Sequence, residues 1–370
     1  MTHLSKYETL AALVQQRDLI NDGAGQVNPF GCSAWLDHFA AQVIDDQAMR
    51  GVLIKSAASD GSAALMALSC DPARPWLLRG LCNYYSSLHS PFYTRAADRA
   101  TAAKALVAAL LRESPACAVL QLSPLDADSD DAHFLRQALS DHGWYTKTYF
   151  LFGNWYLPCD GLAFSDYMKA RDSQLFNTWQ RKTKKFGTGA GSQARVEVVT
   201  DPADVDRAMD AYEAVYAKSW KKPEPFPDFA RGWARTCAAN GWLRLGLAWV
   251  DGAPIAAQFW FTRQRRAYIF KLAYDEAYSK WSAGTVLTAH LMRQALDEDR
   301  VEEIDYLTGD DPYKKGWMSH RRERSGLLAC NLRTVRGLST AARESLAGLA
   351  RRVIGPAAAA ATSKSHSGHA

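Results

Sequence analysis

Residues 242–275, "WLRLGLAWVDGAPIAAQFWFTRQRRAYIFKLAYD", contain three runs of apolar and β-branched residues separated by two polar turns. Asp251-Gly252 is typical of a tight β-hairpin, and the polar run "RQRR" provides the second reversal. Both connections are too short for a helical crossover, so neighbouring strands must run in opposite directions. The stretch therefore predicts a three-stranded antiparallel meander.

The segments on either side of the meander extend it into a larger unit. Upstream, "ARVEVVT" (194–200) predicts a strand, and Asp201-Pro202 predicts a helix start, with a capping residue before a proline. Downstream, "SAGTVLTAHLMRQALDED" (282–299) has one apolar helical face, and "EEIDYL" (302–307) predicts a further strand. The predicted order is strand, helix, meander, helix, strand.

The first half of the chain mixes the same two kinds of element. Residues 51–71 predict two strands around the turn "SDGS", and the alanine-rich stretch 95–114 predicts a helix. Residues 145–158 are aromatic and β-branched and predict a strand. Residues 164–187 predict a single helix with a basic last turn.

Composition excludes several classes of protein. With 370 residues, 48% hydrophobic and 22% charged, the chain is globular rather than disordered. A net charge of +5 favours anionic partners only mildly and is too small to predict nucleic-acid binding. No apolar run is long enough for a signal peptide or a membrane span, which predicts a cytoplasmic location. The seven cysteines are dispersed, which is typical of reduced thiols and not of a metal site.

Several segments resemble the GNAT superfamily of acyltransferases. They are "RKTKK", "DGAPIAAQFWF", "AYDEAYSKWSAGTVL" and "IDYLTGDDPYKKGW". The resemblance is greatest to the Fem-like branch, which includes the CelD-type proteins associated with cellulose and exopolysaccharide synthesis. It is strong over residues 165–325 and weaker over 30–155, where "NPFGCSAWL" and "YYSSLHSPF" resemble a degenerate first copy of the fold.

The resemblance implies a mixed α/β fold with tandem GNAT-like domains, each a mainly antiparallel central sheet flanked by helices. We expect an N-terminal helix and linker (1–27), a degenerate GNAT-like domain (28–158) and a GNAT-like acyltransferase domain (159–337). The last segment (338–370) is expected to form a short helix and a disordered tail. The tail "PAAAAATSKSHSGHA" cannot bury enough apolar surface to fold.

The resemblance implies an acyl-CoA whose pantetheine lies along "YIFKLAYD" and whose pyrophosphate lies on "SKWSAGTVL". A helix start suits a phosphate in any family, because its first N–H groups lack partners and the helix dipole is positive there. The predicted cofactor-binding residues are Lys280, Ser282, Gly284 and Thr285. In the alternative interpretation Ser282 is an N-cap and Gly284 only eases the turn.

The stretch "YLTGDDPYKKGWMSH" (306–320) follows the last strand, where the resemblance implies that thioester and acceptor meet. Direct acyl transfer needs a base for the acceptor proton and an acid for the leaving thiolate. Asp305 and Asp310 are the candidate bases, and Tyr313 is the candidate acid. Lys314 is a candidate ligand for a phosphate or carboxylate of the acceptor.

The same stretch has a purely structural interpretation. In "DDP", either Asp310 or Asp311 could cap a helix that begins at Pro312, while Lys314 and Lys315 face solvent. The sequence leaves both interpretations open.

Two further groups are predicted to bind substrate. Arg181 and Lys182 belong to a basic cluster at the end of a predicted helix; they could bind an acceptor phosphate, or merely complement the helix dipole. Trp220 lies in the proline-rich loop "KSWKKPEPFPDF", and long loops often form acceptor sites.

These residues predict an acyltransferase that moves an acetyl or other acyl group from acyl-CoA to an amine or hydroxyl of a polysaccharide or cell-envelope precursor. We expect acetyl-CoA or another acyl-CoA as donor, no metal, a small-molecule or glycan-precursor acceptor, no nucleic-acid partner, and association with polysaccharide-synthesis machinery. One alternative is an aminoacyl-tRNA-dependent Fem-like peptidyl transferase. The other is a non-catalytic GNAT-derived binding module.

Overall fold

The computed structural model describes residues 3–22, 28–57, 62–94, 98–186 and 193–354 of the chain. Its helices are α1 (Lys6–Gln15), α2 (Arg17–Asp22), α3 (Ser33–Val43), α4 (Arg99–Glu113), α5 (Asp130–Asp141), α6 (Phe164–Lys169), α7 (Ser173–Thr183), α8 (Val205–Ala217), α9 (Phe229–Ala239), α10 (Ala283–Arg293), α11 (Pro312–Trp317) and α12 (Val335–Ile354). Its strands are β1 (Arg50–Ala57), β2 (Ala63–Cys70), β3 (Leu77–Gly80), β4 (Phe92–Tyr93), β5 (Val119–Asp126), β6 (Trp144–Pro158), β7 (Ala194–Val199), β8 (Leu243–Val250), β9 (Ala253–Arg263), β10 (Arg266–Tyr274), β11 (Glu303–Asp305) and β12 (His320–Asn331).

All the strands join one sheet of 12, in the order β1-β2-β3-β5-β12-β6-β11-β10-β9-β8-β7, with β4 paired to β2. Among the described residues only β3 with β5 and β10 with β11 run parallel. The sheet is thus mainly antiparallel and flanked by helices, which confirms the predicted fold class. Each half of the chain has one parallel pair, as expected for two copies of one fold.

The two halves exchange strands at the centre of the sheet. β6 and β12 pair along their length, from His320 with Tyr156 to Asn331 with Trp144. On its other side, β12 pairs with β5 of the first half. On its other side, β6 pairs with β11 of the second half. The expected boundary between the two GNAT-like domains, at residue 159, therefore does not divide the sheet into two separate sheets.

The predicted meander is formed by β8, β9 and β10. Val250 pairs with Ala253 across the Asp251-Gly252 turn, and Arg263 pairs with Arg266 across Gln264-Arg265. All four turn residues have positive φ, between 49° and 77°, which is the geometry of tight hairpins.

Other elements differ from the sequence prediction. The segment expected to be one helix after residue 164 is broken into α6 and α7, because the Asp172 carboxylate accepts a hydrogen bond from the Leu175 N–H at 2.8 Å and so starts a new helix. The sequence did not predict α9 or β12. The predicted short helix near the C-terminus is present as α12, whereas the predicted disordered tail, residues 355–370, lies outside the described residues.

Aromatic packing fixes the first half of the chain against the second. Trp35 of α3 lies against Phe229 and Trp233 of α9, with ring centroids 5.5 and 4.8 Å apart. Tyr85 of the first half stacks on Phe229 with a centroid distance of 3.8 Å. These buried contacts bring the loop after β3 to the end of β10, where the candidate site lies.

Candidate active site

β10 and β11 separate after a short parallel pairing of residues 266–268 with 303–305. β10 then bulges between Ile269 and Lys271, and the segment after β11 turns away at Leu307, whose φ is 53°. Two cavities open in the resulting gap. They share four lining residues, which are Trp220, Leu272, Tyr306 and Tyr313.

The first cavity, named here the helix cavity, has a volume of about 440 Å³ and lies at the start of α10, where Ser282, Gly284 and Thr285 line it. The Ser282 side chain makes no capping hydrogen bond, and a Cβ placed on Gly284 meets no atom within 4 Å. An uncapped helix start beside open space suits an anion. The structure thus brings three of the predicted cofactor-binding residues together, although Lys280 does not line the cavity.

A buried polar network holds this helix start against β9. The Gln258 amide nitrogen donates to the Thr288 hydroxyl at 2.7 Å and to the Gly284 carbonyl at 3.2 Å, and its oxygen accepts from the Trp260 indole at 2.9 Å. Sequence reasoning missed Gln258 and Thr288. The available signal was one amide inside the apolar run "IAAQFWF", since a buried amide needs partners.

The second cavity, named here the lysine cavity, has a volume of about 380 Å³. The second half of the chain lines it with Lys221, Lys271 and Lys314, and the first half adds Tyr84 and Tyr85. This cavity therefore depends on the packing of both halves, which a reading of either half alone could not predict.

Glu224, in the proline-rich loop after Trp220, anchors one wall of the lysine cavity. Its carboxylate pairs with Lys271 at 2.6 Å and accepts hydrogen bonds from Tyr85 at 2.9 Å, from Tyr216 at 2.8 Å and from Tyr84. Burial opposes ionisation, but the ion pair with Lys271 and the tyrosine hydrogen bonds together outweigh it and lower the pKa of Glu224. The ion pair between Glu224 and Lys271 thereby holds the loop against β10. The sequence did not predict this interaction.

Lys314, predicted to bind an acceptor anion, is occupied by its own loop. Its ammonium donates to the carbonyls of Thr308 at 2.5 Å and Gly309 at 3.2 Å, and pairs with Asp311 at 3.1 Å. Three partners use all three N–H groups of a lysine. Lys314 therefore shapes the wall of the lysine cavity instead of offering a free charge to it.

Asp305, one candidate base, is 3% exposed and lines neither cavity. Its carboxylate accepts from the Asn154 amide and the Leu307 N–H, both at 2.6 Å, and from Arg322 at 2.5 Å. These bonds tie the end of β11 to side chains of β6 and β12. The structure thus places Asp305 in a buried ion pair behind the gap and not within it.

Asp310, the other candidate base, also lies outside both cavities. Its carboxylate pairs with Arg321 at 2.7 Å and accepts from the Trp155 indole at 2.7 Å. The hydrogen bond from Arg321 is the main cause that lowers the pKa of Asp310, which makes it a weak base. α11 begins at Pro312 without a capping bond from a side chain, so Asp311 is free of that role and lines the lysine cavity.

Tyr313 and Trp220 lie where the two cavities meet. Tyr313 is half exposed, and its ring packs edge-on against Tyr306 at 5.8 Å. Partial burial raises the pKa of the Tyr313 hydroxyl, so the group stays protonated at neutral pH. The Trp220 ring lies 4.7 Å from Tyr274 at the end of β10.

The basic cluster of α7 lies beside the start of α10. The Lys182 ammonium donates to the Lys280 carbonyl, and the Lys185 ammonium is 5.8 Å from the centre of the Trp281 ring. Neither Arg181 nor Lys182 lines the lysine cavity. Neither residue lines the helix cavity either, and Lys182 contacts the segment before α10 only through the Lys280 carbonyl.

The first half has a cavity of about 190 Å³ next to its own parallel strand pair and the start of α4. Here Asp98 caps the helix by accepting from the Thr101 N–H at 3.0 Å, and Asp126 and Asp131 line the cavity. Asp131 and Asp126 are paired with Arg99 and Arg324, so the feature that disfavours a phosphate here is the Asp98 carboxylate, which already occupies the helix start. Of these two helix starts, only that of α10 suits an anion.

Within the described ranges, no group of three or more His, Cys, Asp or Glu side chains is arranged to hold a metal ion. The helices of the described part also lack the length and apolar character needed to cross a bilayer. All seven cysteines are free thiols.

Comparisons with known proteins agree with this geometry. Residues 173–315 match the family model of the acetyltransferase (GNAT) domain. The FemX structure superposes with a TM-score of 0.57 at 11% identity, covering 88% of this chain and 96% of FemX. The C-terminal domain of a putative lysylphosphatidylglycerol synthetase from Agrobacterium fabrum gives a TM-score of 0.53 at 12% identity, covering 88% and 93%. A conserved protein of unknown function from Bacteroides thetaiotaomicron gives 0.55 at 10%, covering 89% and 99%.

Identities this low establish the fold alone, and no curated protein matches the chain in sequence. The family match runs from α7 into α11 and includes every residue that lines the helix cavity except Trp317. Residues 173–315 therefore form a GNAT acetyltransferase domain, and the chain as a whole shares the fold of FemX.

Proposed function

We propose that this protein transfers an acyl group from acyl-CoA, most simply acetyl-CoA, to an amine or hydroxyl of a polysaccharide or cell-envelope precursor, as in the CelD-like group. The observation that carries the proposal is the meeting of two cavities at Tyr313 and Trp220, in the gap between β10 and β11. Acyl transfer needs donor and acceptor held in contact, and two adjoining cavities provide for this. Free thiols throughout support a cytoplasmic location.

In this proposal the helix cavity binds the donor. The N–H groups at Gly284 and Thr285 would hold the pyrophosphate, and Gln258 keeps that helix start in place. Arg181, Lys182 and Lys280 would add positive charge for donor phosphates, a role different from the acceptor role predicted for the first two. The bound thioester supplies an activated acyl carbon.

The lysine cavity then holds the acceptor, with Asp311 as base and Tyr313 as acid. Asp311 takes the proton from the acceptor nitrogen or oxygen as that atom bonds to the acyl carbon. The carbon–sulfur bond breaks, and the thiolate takes a proton from the Tyr313 hydroxyl. Asp305 and Asp310 have no part in these steps, because their carboxylates are engaged outside the cavities.

Titration calorimetry with acetyl-CoA tests the proposal. We expect one molecule bound per chain, because the helix start beside the first-half cavity is already capped by the Asp98 carboxylate. At 100 times the dissociation constant the ligand should stabilise the fold by about 2.7 kcal/mol. Absence of binding, or two equivalent sites per chain, would contradict the proposed donor site.

Replacing Tyr313 by phenylalanine should lower kcat about 100-fold, the lower end of the range for general acids, since water can reach a half-exposed position. Release of free CoA thiol, with a panel of amino sugars as acceptors, measures the effect. Acetyl-CoA affinity should stay unchanged because the ring is retained. Tyr306 also lines both cavities and is 3% exposed, so Tyr306→Phe tests whether its hydroxyl is the acid instead.

Asp311→Asn should also lower kcat about 100-fold if this carboxylate is the base. Asp310→Asn is the matched control, since it alters the adjacent carboxylate that faces Arg321 and not the cavity. Both rates are compared in the thiol-release assay at saturating acetyl-CoA. Equal rates for the two variants would remove Asp311 from the mechanism.

A further inference from the structure

The lysine cavity holds more positive charge than the protein neutralises. Lys271 is paired with Glu224 at 2.6 Å, and Lys314 is paired with Asp311 at 3.1 Å. Three lysines thus face two carboxylates, which leaves the charge of Lys221 without a counter-ion in this cluster.

The ammonium of Lys221 lies near aromatic rings, and the carboxylates of Glu224 and Asp311 act on it only from beyond ion-pair distance. The rings of Tyr216 and Trp220 lie 5.8 Å from it, and no described side chain forms an ion pair with it. Burial, together with the charge of Lys271, lowers the pKa of Lys221 to about 8. A partly buried cation without a counter-ion is unfavourable, so an anion entering the cavity would relieve this cost.

The other walls of the cavity indicate what such an anion belongs to. Tyr84 and Trp220 are 48% and 51% exposed and present flat apolar faces, while Asp311 and Tyr313 are the groups proposed for proton transfer. A ligand held by Lys221 would therefore place its body between aromatic rings and its nucleophile near the acyl group.

We propose that the lysine cavity binds an acceptor that carries an anionic group, a phosphate or a carboxylate, and that Lys221 is the side chain that neutralises this group. The identification of the bound molecule as the acceptor rests on the proposed function, whereas the anion site itself does not. Two sources fit the chemistry, namely sugar phosphates and sugar acids.

Calorimetry with glucose 1-phosphate and with glucuronate tests the site, and methyl glucoside is the neutral reference. Lys221→Met keeps a flexible side chain of similar length and removes the charge. We expect it to bind the preferred anion about 10- to 150-fold more weakly than wild type, the value of one hydrogen bond to a charged group. Lys221→Arg should retain most of the affinity. Lys222→Met, at the exposed neighbouring position, should bind like wild type.

If the affinity for either anion falls in Lys221→Met, the inference is supported, and the anion affected shows whether the ligand is a sugar phosphate or a sugar acid. Wild-type affinity of Lys221→Met for both anions would overturn it, and so would equal binding of methyl glucoside and the anions by the wild-type protein. As a second readout, trace acetylation by acetic anhydride should modify Lys221, with protection by the bound anion but none at Lys222. If anions bind and acetyl-CoA does not, the proposed function fails while the anion site stands; the reverse result removes only the anion site.

Discussion

Gly284→Phe is expected to abolish acetyl-CoA binding while leaving the protein folded. The position is helical and a Cβ there meets nothing within 4 Å, so the ring would enter the helix cavity without displacing protein atoms. It would cover the N–H groups at the start of α10. Losing two hydrogen bonds to a charged phosphate weakens binding by more than about 100-fold. Titration calorimetry measures the loss, and the unfolding midpoint in urea checks the fold.

The chain offers a matched control in Gly348. This glycine is also helical, in α12, and a Cβ placed on it likewise meets nothing within 4 Å. Gly348→Phe should therefore bind acetyl-CoA like wild type. Unchanged affinity in Gly284→Phe would exclude the helix cavity as the donor site, whereas equal losses in both variants would indicate a general effect of a large side chain.

Asp305→Asn is expected to lower the free energy of unfolding by about 3 to 5 kcal/mol, the cost of removing one charge from a buried ion pair. The amide would present hydrogens to Arg322, whose guanidinium lies 2.5 Å from the present carboxylate. Burial opposes the charge of Arg322, but Asp305 and Glu303 outweigh that cost and raise its pKa. Urea unfolding followed by tryptophan fluorescence measures the change.

Asp310→Asn provides the comparison for Asp305. Its ion pair with Arg321 is solvent-accessible, with side chains 40% and 31% exposed, so we expect a loss of only about 0 to 1 kcal/mol. A small loss for Asp305→Asn accompanied by a large fall in kcat would reverse our assignment and restore Asp305 as a base.

The sequence predicted elements whose causes lie within a few residues. Asp251-Gly252 specifies a tight turn, Pro312 starts α11, and the apolar face after Ser282 defines α10. The interpretation of Ser282, Gly284 and Thr285 as an anion site came from the same local reasoning, but only the structure showed that the Ser282 side chain does not cap the helix. Turn geometry and helix ends depend on neighbouring residues, so one sequence is enough to predict them.

Only the tertiary structure decided how the two halves combine and which polar groups face the site. Nothing local indicates that β12 leaves the second half to pair with β5, because strand partners are chosen by packing between distant segments. Of the consecutive carboxylates Asp310 and Asp311, the sequence could not tell which meets Arg321 and which meets the lysine cavity. Side-chain direction in a loop is set by backbone torsions and remote partners. For the same reason Lys221 was not distinguished from the neighbouring lysines until the ion pairs of Lys271 and Lys314 were known.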